Sequence, residues 1–221
     1  MSRLGFVLTG FWTTAKGSNS AEKRCAQRKM DPKTQVDAEG ALNLFFLCSK
    51  LKETKRTGWI NNGVANPESI SDHMHRMAII SMVVGDSPEV RGRLAKMACV
   101  HDLAEAVIGD ITPDDGVSDE EKHRREESAM RDIRDEYLGG SDIGRELYDL
   151  WLEYDKGESQ DAQIMKQIDK FEMIVQAYEY ELAQGKNLSQ FFESTKNSFT
   201  TEPFTTWVEI LRKRHEEVLK K

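Results

Sequence analysis

The stretch Pro88-Glu-Val90-Arg-Gly-Arg-Leu94-Ala-Lys-Met97-Ala-Cys-Val-His101-Asp102-Leu-Ala104-Glu105-Ala-Val-Ile108-Gly109 decides the fold class. Its apolar residues at 90, 94, 97, 104 and 108 recur in alternating fours and threes, the spacing of one face of an α-helix. Ser87 reads as an N-cap with proline at the first helical position, and the pattern predicts one helix from Pro88 to about Gly109. His101 falls in the same series and so points toward the core. Glu105, four residues on, shares that face, and Asp102 lies at its edge.

The segments on either side have the same period. Upstream, Ile70, Met77, Ile80 and Val84 form the stripe of a helix opening near Ser69 or Ser71 and ending at Gly85, with His73 inside the stripe. Downstream, apolar residues at 164, 168, 171, 175, 178 and 182 predict a long helix over about 161–183, with Asp169 at the border of its buried face. Ser118 with Glu121 reads as a capping box that starts a highly charged helix, and Ser141 begins another through Tyr154. Helical segments around 188–199 and 203–219 finish the chain. Toward the N-terminus, Ala41, Leu44, Phe45 and Leu47 mark the inner side of a first helix. It fades into the basic run Lys50–Arg56, and an extended segment, 57–67, follows with Gly58, Asn61, Asn62 and Gly63 as breakers. There is no internal repeat and no convincing strand. The expectation is an all-α protein with one helical domain over 36–221.

Composition narrows the class further. At 221 residues the chain suits one well-buried domain with an extension, and 38% hydrophobic with 31% charged residues is the make-up of a globular protein. The longest apolar stretch, Met77–Val84, is far too short to cross a bilayer. A net charge of −7 argues against a nucleic-acid polymer as partner. Three cysteines, Cys25, Cys48 and Cys99, form no CxxC pair, which points to a reducing compartment. Cys48 and Cys99 lie in apolar patterns that predict buried, inert thiols. Residues 1–30 carry six basic side chains against Glu22 alone, net +5, so the remainder carries −12. Residues 1–35 therefore read as a disordered extension or a transit peptide, and the location as the cytoplasm or, in the second case, an organelle.

Three helices each aim polar groups at an apolar interior: His73, then His101-Asp102 with Glu105, then Asp169. Burying a carboxylate alone costs several kcal/mol, and a divalent cation is an economical compensation for a mixed imidazole and carboxylate set. Taken singly, each residue has an ordinary reading as a hydrogen-bonded core histidine or a capped or ion-paired aspartate. Spacing alone leaves both readings open. His75 is about 200° around the helix from His73 and is set aside, while His123 and His215 read as solvated surface residues.

The order of His73, His101-Asp102 and Asp169 resembles the H…HD…D signature of the HD-domain metal-dependent phosphohydrolases. The segments Arg56-Thr-Gly-Trp59, Pro67-Glu-Ser-Ile-Ser-Asp-His73, His101-Asp-Leu-Ala-Glu105, Gly109-Asp-Ile-Thr-Pro113 and Lys122-His-Arg-Arg-Glu-Glu127 resemble, more closely, the eukaryotic HD-domain-containing protein 2 group, which is related to bacterial 5′-deoxynucleotidases. The likeness spans about residues 40–200. It implies an HD-domain helical bundle that hydrolyses deoxyribonucleoside 5′-monophosphates to deoxynucleoside and phosphate, working as a homodimer. It also implies that His73, His101, Asp102 and Asp169 hold the catalytic divalent metal (manganese, cobalt, magnesium or similar). Glu105 aligns with a general acid/base carboxylate. Alternatively Glu105, Asp110 and the backbone carbonyl of Ile111 hold a second ion. Arg56 and Trp59 are the candidates for phosphate and nucleoside contact, although the bacterial relatives have these two residues adjacent. Asp110, Ile111, Thr112 and Pro113 match a loop over the sugar. Two other functions compete with this one: an HD phosphohydrolase for another phosphorylated nucleotide, and a helical interaction module with a vestigial site.

Overall fold

The computed structural model describes residues 36–219, so the basic N-terminal run and Cys25 lie outside the described residues. Among those residues there are ten α-helices: α1 (Ala38–Glu53), α2 (Thr57–Asn61), α3 (Ile70–Val84), α4 (Pro88–Ala98), α5 (Glu105–Ile108), α6 (Asp119–Asp132), α7 (Asp142–Lys156), α8 (Gln160–Gln184), α9 (Ser189–Ser194) and α10 (Phe204–Leu219). A lone antiparallel bridge, Lys55 to Ser69, is the only β pairing among them. None of the described helices is long and apolar enough to cross a membrane.

The caps read from sequence set the helix starts. Ser69 closes a reciprocal box on α3: its hydroxyl accepts from Asp72 N at 3.2 Å, and the Asp72 carboxylate accepts from Ser69 N at 2.8 Å. Ser87, Ser118 and Ser141 cap α4, α6 and α7, and Ser159, which carried no expectation, caps α8; each hydroxyl accepts from the amide three residues on. Gly85 turns the chain between α3 and α4 because a Cβ there would stand 2.9 Å from Arg91 N. At Gly40 a side chain would collide with the Tyr137 carbonyl, so glycine lets α1 seat against the π turn Ile133–Tyr137 that follows α6.

Helix α8 runs through the middle and packs on α3, α4, α7, α9 and α10. Its first half enters one apolar cluster with Met165 and Ile168, beside Met77, Leu94, Met97, Met130 and Trp151. Its second half enters another with Ile174 and Ala177, beside Trp59, Leu188 and Phe192. Asp169 and Glu172 therefore sit on α8 at the seam between two apolar cores.

Several expectations need correction. The helix from Pro88 stops at Ala98, and residues 99–104 continue as tight turns before α5. The break has a local cause: His101 Nδ1 lies 3.0 Å from the carbonyl of Ala98, which an α-helix would give to the amide of Asp102. Leu103 N and Glu105 N then bond three residues back, at 2.9 and 3.1 Å. The segment expected to be extended over 57–67 begins with α2, because Asp110 supplies a carboxylate to its first amide. Phe45, placed on the inner side of α1, is 65% exposed. The α8 residues 171, 175, 178 and 182 form a shallow outer groove with α10, with Leu182 57% exposed. The reason is that α8 is wrapped on most sides and buries Gln167, Glu172, Gln176 and Glu181 as well. Cys99 is exposed and Cys48 half-buried. His215, read as a surface residue, is buried, with Nδ1 2.6 Å from Glu181 and its ring stacked on Phe192 at 3.9 Å.

Candidate metal centre and substrate cavity

The positions picked from sequence on three separate segments converge. His73 comes from α3, His101-Asp102 from the turns after α4, and Asp169 from α8. His73 Nε2 lies 3.3 Å from Asp169 Oδ1 and 3.9 Å from Asp102 Oδ2, and His101 Nε2 lies 3.0 Å from the same Asp102 oxygen. The far nitrogen of each ring is tied from behind. His101 Nδ1 donates to the Ala98 carbonyl at 3.0 Å, and His73 Nδ1 meets the Glu172 carboxylate at 2.5 Å. An imidazole that donates through Nδ1 presents a lone pair at Nε2 when neutral.

Two buried lone pairs thus face two carboxylates, and neither Nε2 has a hydrogen-bond partner. Such a set is repulsive unless a proton or a cation lies inside it. A proton on His73 is one answer. Burial and the Arg56 charge lower its pKa, but Glu172 and Asp169 outweigh both and lift it to about 9. His73, His101 and Asp102 bring ligand atoms within 4.8 Å of one another, and Asp169 joins them through its 3.3 Å approach to His73, a two-nitrogen, two-oxygen donor set that suits a divalent cation. These residues fit a metal. Burial alone would raise the Asp102 and Asp169 carboxyls; the two histidines and Arg56 reverse that and hold both ionised.

Around this centre lies a cavity of 690 Å³, within the range of small-ligand sites. Arg56 enters it from the N-cap of α2, with Nη1 3.3 Å from Asp102 Oδ2. Burial opposes its charge, but Asp102, Asp169, Asp110 and Glu105 outweigh burial and keep the guanidinium protonated. Glu105 opens α5 and is 4% exposed, with Oε2 lacking a partner. Burial first, then Asp102 and Asp110, push its carboxyl well above the usual range. Asp110 is anchored: Oδ2 accepts from Thr57 N at 2.7 Å, and its carbonyl accepts from the Thr57 hydroxyl at 2.8 Å. The Ile111 carbonyl accepts from Lys122 at 2.9 Å, and Thr112 caps the 3-10 turn Pro113–Asp115 through Asp115. Trp59 lines the cavity while 2% exposed. Its indole donates to Glu68 at 2.9 Å and packs between Tyr180 and Phe191, with centroids at 5.4 and 4.5 Å.

Sequence reasoning missed four contributors. Tyr154 donates to Asp169 Oδ2 at 2.9 Å and sets its ring edge-on to His101. Lys166, one α8 turn before Asp169, lies over the Tyr154 ring at 4.2 Å. Glu172 stands one turn after Asp169, and that i+3 spacing on a helix already singled out was the available signal. His123, read as a solvated residue, is half-buried in the cavity wall, 2.9 Å from Asp155 and stacked on Trp151. Tyr154 and His123 carried no spacing signal, because their partners lie on other helices.

A family model described as HD domain matches residues 48–207. The chain belongs to the HD-domain family. Among its relatives, the mouse protein named 5′-deoxynucleotidase HDDC2 is 45% identical over 163 residues, covering 73% of this chain and 81% of the mouse protein. The fission yeast protein named 5′-deoxynucleotidase hdd1 is 48% identical over 152 residues, covering 66% of this chain and 77% of its own length. The crystal structure of PH0347 from Pyrococcus horikoshii OT3 superposes with a TM-score of 0.62 at 35% identity, covering 78% of this chain and 96% of that one. The HD-domain match covers His73, His101, Asp102 and Asp169, together with Arg56, Glu105 and the loop that begins at Asp110.

Proposed function

We propose that this protein is a divalent-metal-dependent 5′-deoxynucleotidase that hydrolyses deoxyribonucleoside 5′-monophosphates to deoxynucleoside and phosphate. The observation that carries this reading is the convergence of two Nε2 lone pairs and two carboxylates beside Arg56, in a cavity of nucleotide size. The activity named for its relatives agrees with it.

In this reading His73, His101, Asp102 and Asp169 hold the ion. A bound divalent metal supplies an acidified water as nucleophile and a counter-charge for the phosphoryl oxygens. Arg56 offers a planar fork of donors to the phosphate, and its ion pair with Asp102 aims that fork at the centre. Glu105, whose carboxyl burial and the neighbouring Asp102 and Asp110 push well above the usual range, is placed to hold a proton for the leaving O5′. The Asp110–Pro113 loop covers the sugar, with Asp110 offering its second carboxylate oxygen to the 3′-OH, and the Trp59 edge walls the nucleoside.

The alternative role for Glu105, Asp110 and the Ile111 carbonyl is a second cation. For that, Lys122 has to leave the Ile111 carbonyl that it now occupies. A related phosphorylated nucleotide remains the second substrate reading, and the cavity favours a monophosphate only through its size.

The test is phosphate release by the full-length protein across deoxy- and ribonucleoside monophosphates, cyclic nucleotides and triphosphates. We expect release from the deoxymonophosphates, loss of it with a chelator, and recovery with Mn²⁺ or Co²⁺. A protein inactive on every deoxymonophosphate with each metal present would refute the proposal.

The protein is further proposed to work as a homodimer in the cytoplasm, or in an organelle should the basic N-terminal run act as a transit peptide. Phe45 and Phe46 on α1 are 65% and 70% exposed, and Met82 and Val83 on the adjacent α3 are 52% and 66% exposed. Exposed apolar side chains on two packed helices suit a partner copy. Sedimentation velocity at micromolar concentration should give a dimer, and a monomer throughout would sink this part of the reading.

A further inference from the structure

We infer that Glu172 is a positioning residue of the metal centre, holding the His73 ring so that Nε2, and not Nδ1, faces the ion. This inference rests on the metal-centre reading above.

Two helix turns set the arrangement. His73 and Arg76 lie three apart on α3, and Asp169 and Glu172 lie three apart on α8, so each pair occupies one face of its helix. Where the faces meet, one imidazole spans both carboxylates: Nε2 is 3.3 Å from Asp169 and Nδ1 is 2.5 Å from Glu172. The His73 and Glu172 side chains are both 0% exposed, so no water competes for that contact.

A carboxylate buried this deeply needs a counter-charge of its own, and Arg76 provides it with Nε 3.0 Å from Glu172 Oε1. Arg76 is fastened in turn to Glu179 at 2.9 Å and to Gln176. The chain Arg76–Glu172–His73 leaves the imidazole one low-energy orientation and one donor assignment. Outer carboxylates do this for metal-bound histidines generally, and their loss costs about 10–100-fold in metal affinity.

A competing idea is that Glu68, His73 and Glu172 themselves hold a cation, since their donor atoms cluster within 4.8 Å. Arg76 argues against it, because its guanidinium already stands 3.0 Å from Glu172 and 3.9 Å from Glu68. The cation of that cluster is a side chain.

The test uses the full-length protein stripped with a chelator and titrated with Mn²⁺ by calorimetry. Glu172→Gln, which keeps the volume and removes the charge, should weaken Mn²⁺ binding about 10–100-fold. Its KM for dAMP at saturating Mn²⁺ should stay within about twofold of the wild-type value, because substrate contacts are untouched. A purely structural Glu172 would lower thermal stability without moving the Mn²⁺ affinity, and that outcome overturns the inference. Should Glu172→Gln not fold, Glu172→Asp, which withdraws the carboxylate by one methylene, carries the same measurement with the same two readings. Wild-type protein that binds no Mn²⁺ would overturn the metal centre itself and this inference with it. Equal affinity in variant and wild type overturns only the inference.

Discussion

Replacing His101 by alanine is expected to lower phosphate release from dAMP at least about 10³-fold, a loss of ~4 kcal/mol at 1.36 kcal/mol per factor of ten. Of the proposed ligands, His101 is held by the backbone. Its Nδ1 is tied to the Ala98 carbonyl at 3.0 Å, and its Nε2 has no hydrogen-bond partner in the protein. Alanine removes an imidazole ligand and leaves Asp102 and Asp169 as like charges across an emptied corner. The bound Mn²⁺ should fall well below the wild-type stoichiometry in the same sample. Two measurements decide the matter: metal analysis and single-substrate kinetics, on protein whose circular dichroism matches wild type. A folded His101→Ala variant that keeps a tenth of wild-type turnover would remove His101 from the metal centre.

The second large effect belongs to Glu105. Glu105→Gln keeps the size of a side chain that is 4% exposed and removes only its exchangeable acid. General acid–base groups contribute about 10²–10⁴-fold, so kcat for dAMP should fall by that amount with little change in KM. The same variant distinguishes the two roles open to this residue. A proton carrier leaves the number of bound metal ions unchanged. A ligand to a second ion lowers that number by one, and Lys122 then keeps its contact with the Ile111 carbonyl. Unchanged kcat would exclude Glu105 from both roles.

The caps and stripes were legible because they are local. Ser69, Ser87, Ser118 and Ser141 start helices through hydrogen bonds that reach only three residues. His101 was placed inward correctly even though the helix that carried the argument ends at Ala98, because its amide still bonds to the Met97 carbonyl at 2.9 Å. The break itself was not legible, since it depends on where the His101 side chain finds its acceptor. His123 and His215 were misread for a related reason. Each sits in a charged run whose polarity suggests solvent, yet each meets an aromatic ring and a carboxylate from a distant segment.

By itself, the sequence determined an all-helical domain, the starts of α3, α4, α6 and α7, and several of the polar side chains on inward faces. It named His73, His101, Asp102 and Asp169 without measuring any distance between them. The tertiary structure alone decided that these four meet and that Glu172 and Tyr154 hold them from behind. It also placed one carboxylate oxygen of Asp110 on the amide of Thr57. The physical reason is range. Helix period and capping are written within a few residues, whereas a metal centre is a balance of charges brought together from three helices, and only their packing fixes that balance.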